Sequence, residues 1–97
     1  MTAFENKTIW ITGASSGIGE ALVTLFSKEN LNLIISARRV NELERVKKEN
    51  EGFASIEILP LDLEKTDELT AKAKEALGLF GPIDILINNG GVSQRSM

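Results

Sequence analysis

The 97-residue sequence contains no cysteine, no histidine and no tyrosine. Without cysteine the chain has no disulfide framework, no thiolate nucleophile and no thiolate ligand for zinc. Without histidine it lacks the commonest metal ligand and the side chain that most often acts as a general base. We therefore predict no metal site. Without tyrosine, no phenol within these residues can donate a proton.

The sequence also lacks a strong charge of one sign and a long apolar run. Lysine and arginine number 11 against 14 aspartate and glutamate residues, which gives a net charge of -3. This balance predicts no surface that attracts nucleic acid. No apolar run approaches the roughly 18–20 residues that a membrane span needs. We expect a cytoplasmic protein, and the 42% hydrophobic and 26% charged residues are typical of a folded globular domain.

Short β-branched runs alternate with longer amphipathic stretches, which is the pattern of repeated strand–helix–strand units. The predicted strands are residues 8–12, 33–36, 54–61 and 83–87. Apolar spacing of three and four predicts the faces of three helices: Ile18, Ala21, Leu22, Leu25 and Phe26; Val40, Leu43 and Val46; Leu69, Ala73, Ala76, Leu77 and Phe80. Right-handed crossovers then give the strand order 3-2-1-4, the N-terminal half of a Rossmann-type doubly wound α/β sheet with helices on both faces.

A glycine-rich turn lies between the first strand and the first helix, and it reads Gly13-Ala14-Ser15-Ser16-Gly17-Ile18-Gly19. Glycine permits a tight turn, close approach of a phosphate to the backbone and close packing of helix on strand. Free amides of the opening helical turn, with the hydroxyls of Ser15 and Ser16, form an anion site suited to a diphosphate. The turn lacks the Lys-Ser/Thr pair of a P-loop, which disfavours an ATPase. A plain strand-to-helix turn is the structural alternative.

Three motifs in order resemble those of the short-chain dehydrogenase/reductase family. They are Thr12-Gly13-x3-Gly17-x-Gly19, Asp62 after the third strand, and Asn88-Asn89-x-Gly91 after the fourth. Residues 37–39 and 88–96 resemble one branch of that family more narrowly. The resemblance covers the whole chain but only the N-terminal half of such an enzyme. We therefore expect residues 1–97 to be a cofactor-binding half-domain of a longer single-domain enzyme.

The resemblance implies positions for the cofactor. The residues against its diphosphate and adjacent ribose are Gly13, Ser15, Gly17, Ile18 and Gly19. The adenine is held by Asp62 and Leu63, although a solvated turn carboxylate is the alternative for Asp62. Asn88 ties neighbouring strands together, and Asn89 and Gly90 lie against the ribose on the nicotinamide side. Gly90 stands where the family usually has alanine.

The residues after the second strand, Ser36-Ala37-Arg38-Arg39, favour NADP as the cofactor. In dinucleotide folds an acidic residue here binds the 2′-hydroxyl of NAD, whereas arginine accommodates the 2′-phosphate of NADP. No carboxylate follows until Glu42, and a guanidinium matches a phosphate in geometry and charge. Arg38 is the stronger candidate, Arg39 the second, and Ser15 or Ser16 adds a hydroxyl. Two solvated arginines at a helix start are the alternative.

The family's chemistry uses a serine and a Tyr-x3-Lys pair, and the absence of tyrosine means that this pair does not occur in the sequence. We assign no catalytic residue and expect these residues alone to be inactive. The intact enzyme is expected to act on a small-molecule carbonyl or alcohol substrate and to form a homo-oligomer. A non-catalytic NADP(H)-binding module is the alternative function, and an epimerase or dehydratase of the same fold is a third.

Trp10 is predicted to lie in the core.

Overall fold

The computed structural model describes residues 4–62 and 64–89. Its elements in chain order are β1 (Thr8–Thr12), α1 (Gly17–Phe26), β2 (Asn32–Ser36), α2 (Val40–Glu49), β3 (Ser55–Ile58), a 3-10 turn (Thr66–Glu68), α3 (Leu69–Phe80) and β4 (Ile85–Asn88). The strands form one parallel sheet in the order β3-β2-β1-β4. The predicted fold class and strand order are therefore confirmed.

Apolar side chains cover both faces of the sheet, because successive residues of a strand point to opposite sides. One cluster joins the inner strands to two helices and includes Ile9, Ile11, Leu33 and Ile35 of the strands, Val23 and Phe26 of α1, and Leu43 and Val46 of α2. The other cluster joins them to α3 and includes Trp10, Ile34, Leu59, Leu61 and Ala76. Helices α1 and α2 thus lie on one face of the sheet and α3 on the other.

The first helix is rotated from its predicted orientation. Gly19, Val23 and Phe26 face the core, whereas Ile18 is 69% and Leu25 58% exposed. The two faces share Phe26, and Leu22 of the predicted face also packs against the core, so the helix is turned by less than the roughly 100° that one residue spans. The predicted face was therefore wrong for a set of residues that the structure exposes: Ile18, Ala21 and Leu25 in α1, and similarly Val40 in α2 and Leu77 in α3.

The third strand ends at Ile58, short of the predicted residue 61. The segment after β3 nevertheless continues along β2, since the amides of Leu59 and Leu61 donate to the carbonyls of Ile35 and Ala37 at 3.0 and 2.9 Å. The chain therefore follows β2 to its carboxyl end. None of the helices within residues 4–62 and 64–89 has the length and hydropathy of a membrane span.

Candidate cofactor-binding site

The glycine loop, residues 13–19, carries the chain from the end of β1 into α1. Gly13 and Gly17 have φ angles of 66° and 57°, in the left-handed region that residues with a Cβ atom rarely adopt. A Cβ atom on Gly17 would have no neighbour within 4 Å. The requirement for glycine at position 17 is therefore one of backbone conformation.

Gly19 is required for a different reason, which is space. A Cβ atom there would overlap the carbonyl oxygen of Gly13 and lie 2.8 Å from Nδ2 of Asn89. The absence of a side chain lets the first turn of α1 pack directly against the loop. This contact also brings the segment after β4 to the same place.

The start of α1 presents hydrogen-bond donors that the helix does not use. Its first helical hydrogen bond runs from the amide of Glu20 to the carbonyl of Ser16, at 3.2 Å. The amides of the three preceding residues have no acceptor within the helix. The side chain of Ser16, the N-cap residue, makes no capping hydrogen bond. Free N–H groups at the positive end of a helix dipole form a donor set suited to phosphate.

The carboxyl end of β2 lies beside the glycine loop. The amide of Ala14 donates to the carbonyl of Ser36 at 3.0 Å, and Arg38 and Arg39 follow as exposed residues. Among residues 4–62 and 64–89 neither guanidinium makes a salt bridge. Arg39 is the N-cap residue of α2, where its side chain makes no capping hydrogen bond.

Arg45 of α2 binds the glycine loop and three carboxylates. Its Nη2 donates to the carbonyl of Ser15 at 3.2 Å, and its Nη1 lies 3.1 Å from Oε2 of Glu20. The same guanidinium lies 3.0 Å from carboxylate oxygens of Glu42 and Glu49. Hydrogen bonds with Glu20 and then Glu42 raise the pKa of Arg45 above its ordinary value, so it stays a cation.

This role of Arg45 was not predicted from the sequence. The spacing of Glu42, Arg45 and Glu49 indicates only ordinary ion pairs within a helix. The contacts with Ser15 and Glu20 join residues 30 and 25 positions apart, and no local pattern signals them.

The end of β4 is hydrogen-bonded to β1 and to the glycine loop. The hydroxyl of Thr12 donates to Oδ1 of Asn88 at 2.8 Å and accepts from the amide of Asn89 at 3.1 Å. Asn89 Nδ2 in turn donates to the carbonyl of Gly13, at 3.4 Å. Asn88 thus joins the two strands, as the resemblance implies, and Asn89 lies against the glycine loop.

Asp62 follows the extension of β3 and organises a turn. Its Oδ1 accepts a hydrogen bond from the amide of Glu64 at 2.9 Å, and its carbonyl accepts one from the amide of Lys65 at 3.0 Å. The first of these bonds gives the carboxylate a role in the turn, and adenine binding by Asp62 stays a prediction. Leu63 and Gly90 lie outside the described residues.

Comparison with known proteins identifies the family. A family model described as short chain dehydrogenase matches residues 7–97. The chain belongs to the short-chain dehydrogenase family. Dehydrogenase/reductase SDR family member 7 of Homo sapiens is 54% identical over 97 residues, covering 95% of this chain and 29% of that protein. NADP-dependent 3-hydroxy acid dehydrogenase of Schizosaccharomyces pombe is 38% identical over 96 residues, covering 96% of this chain and 37% of that protein.

Solved structures of two reductases share the fold. L-sorbose reductase from Gluconobacter frateurii, complexed with NADPH and L-sorbose, matches with a TM-score of 0.78 and 30% identity over 92% of this chain and 35% of that one. The 3-ketoacyl-(acyl-carrier-protein) reductase from Brucella melitensis, complexed with NADH, matches with a TM-score of 0.72 and 35% identity over 84% of this chain and 33% of that one. The chain spans about a third of the length of the curated relatives it matches.

In this short-chain dehydrogenase chain, the described candidate residues meet at one edge of the sheet. The ends of β1, β2, β4 and the extension of β3 are all carboxyl ends of parallel strands, where open α/β sheets bind their ligands. The set is Gly13, Ser15, Ser16, Gly17, Ile18, Gly19, Arg38, Arg39, Asp62 and Asn89. Within the described residues no group of three His, Cys, Asp or Glu side chains is arranged to hold a metal ion.

One buried polar contact at this edge was also missed. Trp10 is in the core as predicted, with 8% of its surface exposed, and its indole Nε1 donates to Oγ of Ser36 at 2.7 Å. A buried indole N–H generally needs such a partner. Ser36 therefore contacts the glycine loop through its carbonyl and the core of the sheet through its hydroxyl.

Proposed function

We propose that this chain is the cofactor-binding half of an NADP-dependent oxidoreductase that transfers a hydride between nicotinamide and a carbonyl or alcohol carbon. The observation that carries the proposal is the pair of exposed arginines at the end of β2. Arg38 and Arg39 make no salt bridge with any described residue. A guanidinium without a carboxylate partner is available for the 2′-phosphate that distinguishes NADP from NAD.

The remaining donors fit a dinucleotide. The free amides of α1 and the hydroxyls of Ser15 and Ser16 suit the diphosphate, and Gly17 leaves the backbone open to close approach. Glu42, the first carboxylate after β2, is bound by Arg45 at 3.0 Å. It is therefore a poor partner for the 2′-hydroxyl of NAD. We also propose that Asp62 with Leu63 holds the adenine and that Asn89 with Gly90 borders the nicotinamide ribose.

The relatives support a nicotinamide cofactor, and two of the four favour NADP. The Schizosaccharomyces pombe protein is named NADP-dependent, and L-sorbose reductase was solved with NADPH. The Brucella melitensis reductase was solved with NADH. When bound, the nicotinamide would give or accept the hydride, and the residues of this chain would bind and orient it. The cytoplasmic location and the homo-oligomeric state stay predictions.

A second candidate function is a non-catalytic NADP(H)-binding module. Both candidates require cofactor binding at the same edge of the sheet. The two candidates differ in whether the intact protein catalyses a reaction. Oxidation of NADPH by the intact protein with a panel of carbonyl compounds would support the oxidoreductase, and NADPH binding without turnover would support the module.

The cofactor proposal is tested by calorimetric titration of the intact protein with NADPH and NADH. We expect tighter binding of NADPH. Removing a charge-assisted contact with the 2′-phosphate in Arg38→Ala should weaken NADPH binding by about tenfold or more and leave NADH binding nearly unchanged. Arg39→Ala should act in the same direction with a smaller effect. The matched control is Lys48→Ala, which removes an exposed cation from the last turn of α2.

Two outcomes would contradict the proposal. Equal affinity of the wild-type protein for NADPH and NADH would remove the assigned role of the arginine pair. An equal loss of NADPH affinity in Lys48→Ala and Arg38→Ala would show that general positive charge, rather than the end of β2, determines binding.

A further inference from the structure

Arg45 joins three parts of the molecule through one guanidinium. It lies in the middle of α2, it pairs with Glu20 in the first turn of α1, and it donates to the main-chain carbonyl of Ser15 in the glycine loop. Two nitrogens reach Glu20, Nη1 at 3.1 Å and Nη2 at 3.4 Å. A planar fork of donors can make these contacts together, whereas the single ammonium of lysine cannot.

The contact with Ser15 determines the direction of a neighbouring donor. The peptide unit between Ser15 and Ser16 is planar and trans, so its C=O and N–H point in opposite directions. Holding the Ser15 carbonyl against α2 therefore turns the Ser16 amide away from α2. The amide precedes the three free amides of α1, and its orientation is fixed by a side chain that lies outside the loop.

Arg45 is itself poorly placed to bind a phosphate. Carboxylate oxygens of Glu20, Glu42 and Glu49 lie within 3.1 Å of its nitrogens, and together these groups carry a net negative charge. Arg38 and Arg39 have no such partners among the described residues. Arg38 and Arg39 are therefore available for an anion, whereas Arg45 is engaged in supporting the loop.

We propose that Arg45 is a positioning residue for cofactor binding, which holds the Ser15 carbonyl and Glu20 so that the glycine loop presents its N–H groups to the diphosphate. The inference rests on the proposed function. Loss of Arg45 should therefore change loop hydrogen exchange and NADPH binding clearly but change the free energy of unfolding little, because ion pairs of partly exposed side chains contribute little to it.

The test compares Arg45→Gln and Arg45→Lys with wild type in the intact protein. Hydrogen exchange of the amides of Ala14 and Glu20, which donate to the carbonyls of Ser36 and Ser16, is measured without cofactor and reports on the loop directly. We expect exchange about tenfold faster in both variants and NADPH binding about five- to tenfold weaker, as for loss of a hydrogen bond from a charged donor. Lys48→Gln is the matched control, because Lys48 is an exposed cation in the last turn of the same helix and makes no salt bridge with any described residue. It should leave both quantities at their wild-type values.

The inference is overturned if Arg45→Gln retains wild-type exchange and wild-type affinity for NADPH. It is also overturned if Arg45→Gln lowers only the urea midpoint of unfolding, or if Lys48→Gln causes the same losses, since either result assigns no specific role in the loop to Arg45. These outcomes differ from failure of the proposed function, in which the wild-type protein itself does not bind NADPH.

Discussion

Gly19 determines how closely α1 approaches the end of β1. A methyl group at this position would overlap the carbonyl oxygen of Gly13, which is backbone and has little freedom to move. We expect Gly19→Ala to lower the free energy of unfolding by about 1–3 kcal/mol, the usual cost of overpacking, and to weaken NADPH binding by displacing the loop. Urea unfolding and calorimetric titration of the intact protein measure the two effects.

Gly78 supplies the control for this substitution. It also lies in a helix, α3, but a Cβ atom there would meet nothing within 4 Å. Gly78→Ala should raise the free energy of unfolding by about 0.5–1 kcal/mol through helix propensity alone and leave NADPH binding unchanged. If Gly19→Ala matched Gly78→Ala in both measurements, the close packing at Gly19 would not be a constraint in solution.

At the scale of elements, the strands were predictable and the rotation of α1 was not. Strands buried on both faces give continuous apolar runs, and the right-handed crossover rule then leaves few arrangements of four strands. The face of α1 is decided instead by the contact of Gly19 with Gly13. A glycine contributes nothing to an apolar pattern, so the sequence allows two overlapping faces that share Phe26, one with Ile18 and Leu25 and one with Val23, without indicating which is buried.

The start of β4 is aligned with β1 by Asp84. Its Oδ2 accepts from the amide of Thr8 at 2.8 Å, and its own amide donates to the Thr8 carbonyl at 2.9 Å. Asp84→Ala removes the acceptor for a buried-strand amide, and we expect a loss of about 1 kcal/mol in the free energy of unfolding. Asp84→Asn keeps a side-chain oxygen acceptor and should lose less. Faster hydrogen exchange at Thr8 in the alanine variant alone would identify this bond as the cause, and identical behaviour of the two variants would contradict it.

At the scale of the whole molecule, the site was predictable where it depends on topology. Parallel strands bring their carboxyl ends to one edge, so the glycine loop, Arg38, Asp62 and Asn89 could be grouped from the sequence once the strand order was known. The support that Arg45 gives to this site could not be predicted from the sequence, because it depends on how α2 lies against α1. Such side-chain contacts between helices follow from the packed structure and leave no local pattern.

Cofactor binding and the stability of the whole fold are linked, because a ligand that binds only the folded state stabilises it. At a free concentration 100 times its dissociation constant, NADPH should raise the free energy of unfolding of the intact protein by about 2.7 kcal/mol. NADH at the same concentration should raise it by less, since it offers no 2′-phosphate to Arg38. In Arg38→Ala the difference between the stabilisation by NADPH and that by NADH should be smaller than in the wild type, whereas in Lys48→Ala it should be unchanged. Urea unfolding with each dinucleotide measures these differences, and equal stabilisation by NADPH and NADH in the wild-type protein would contradict a cofactor preference set by Arg38.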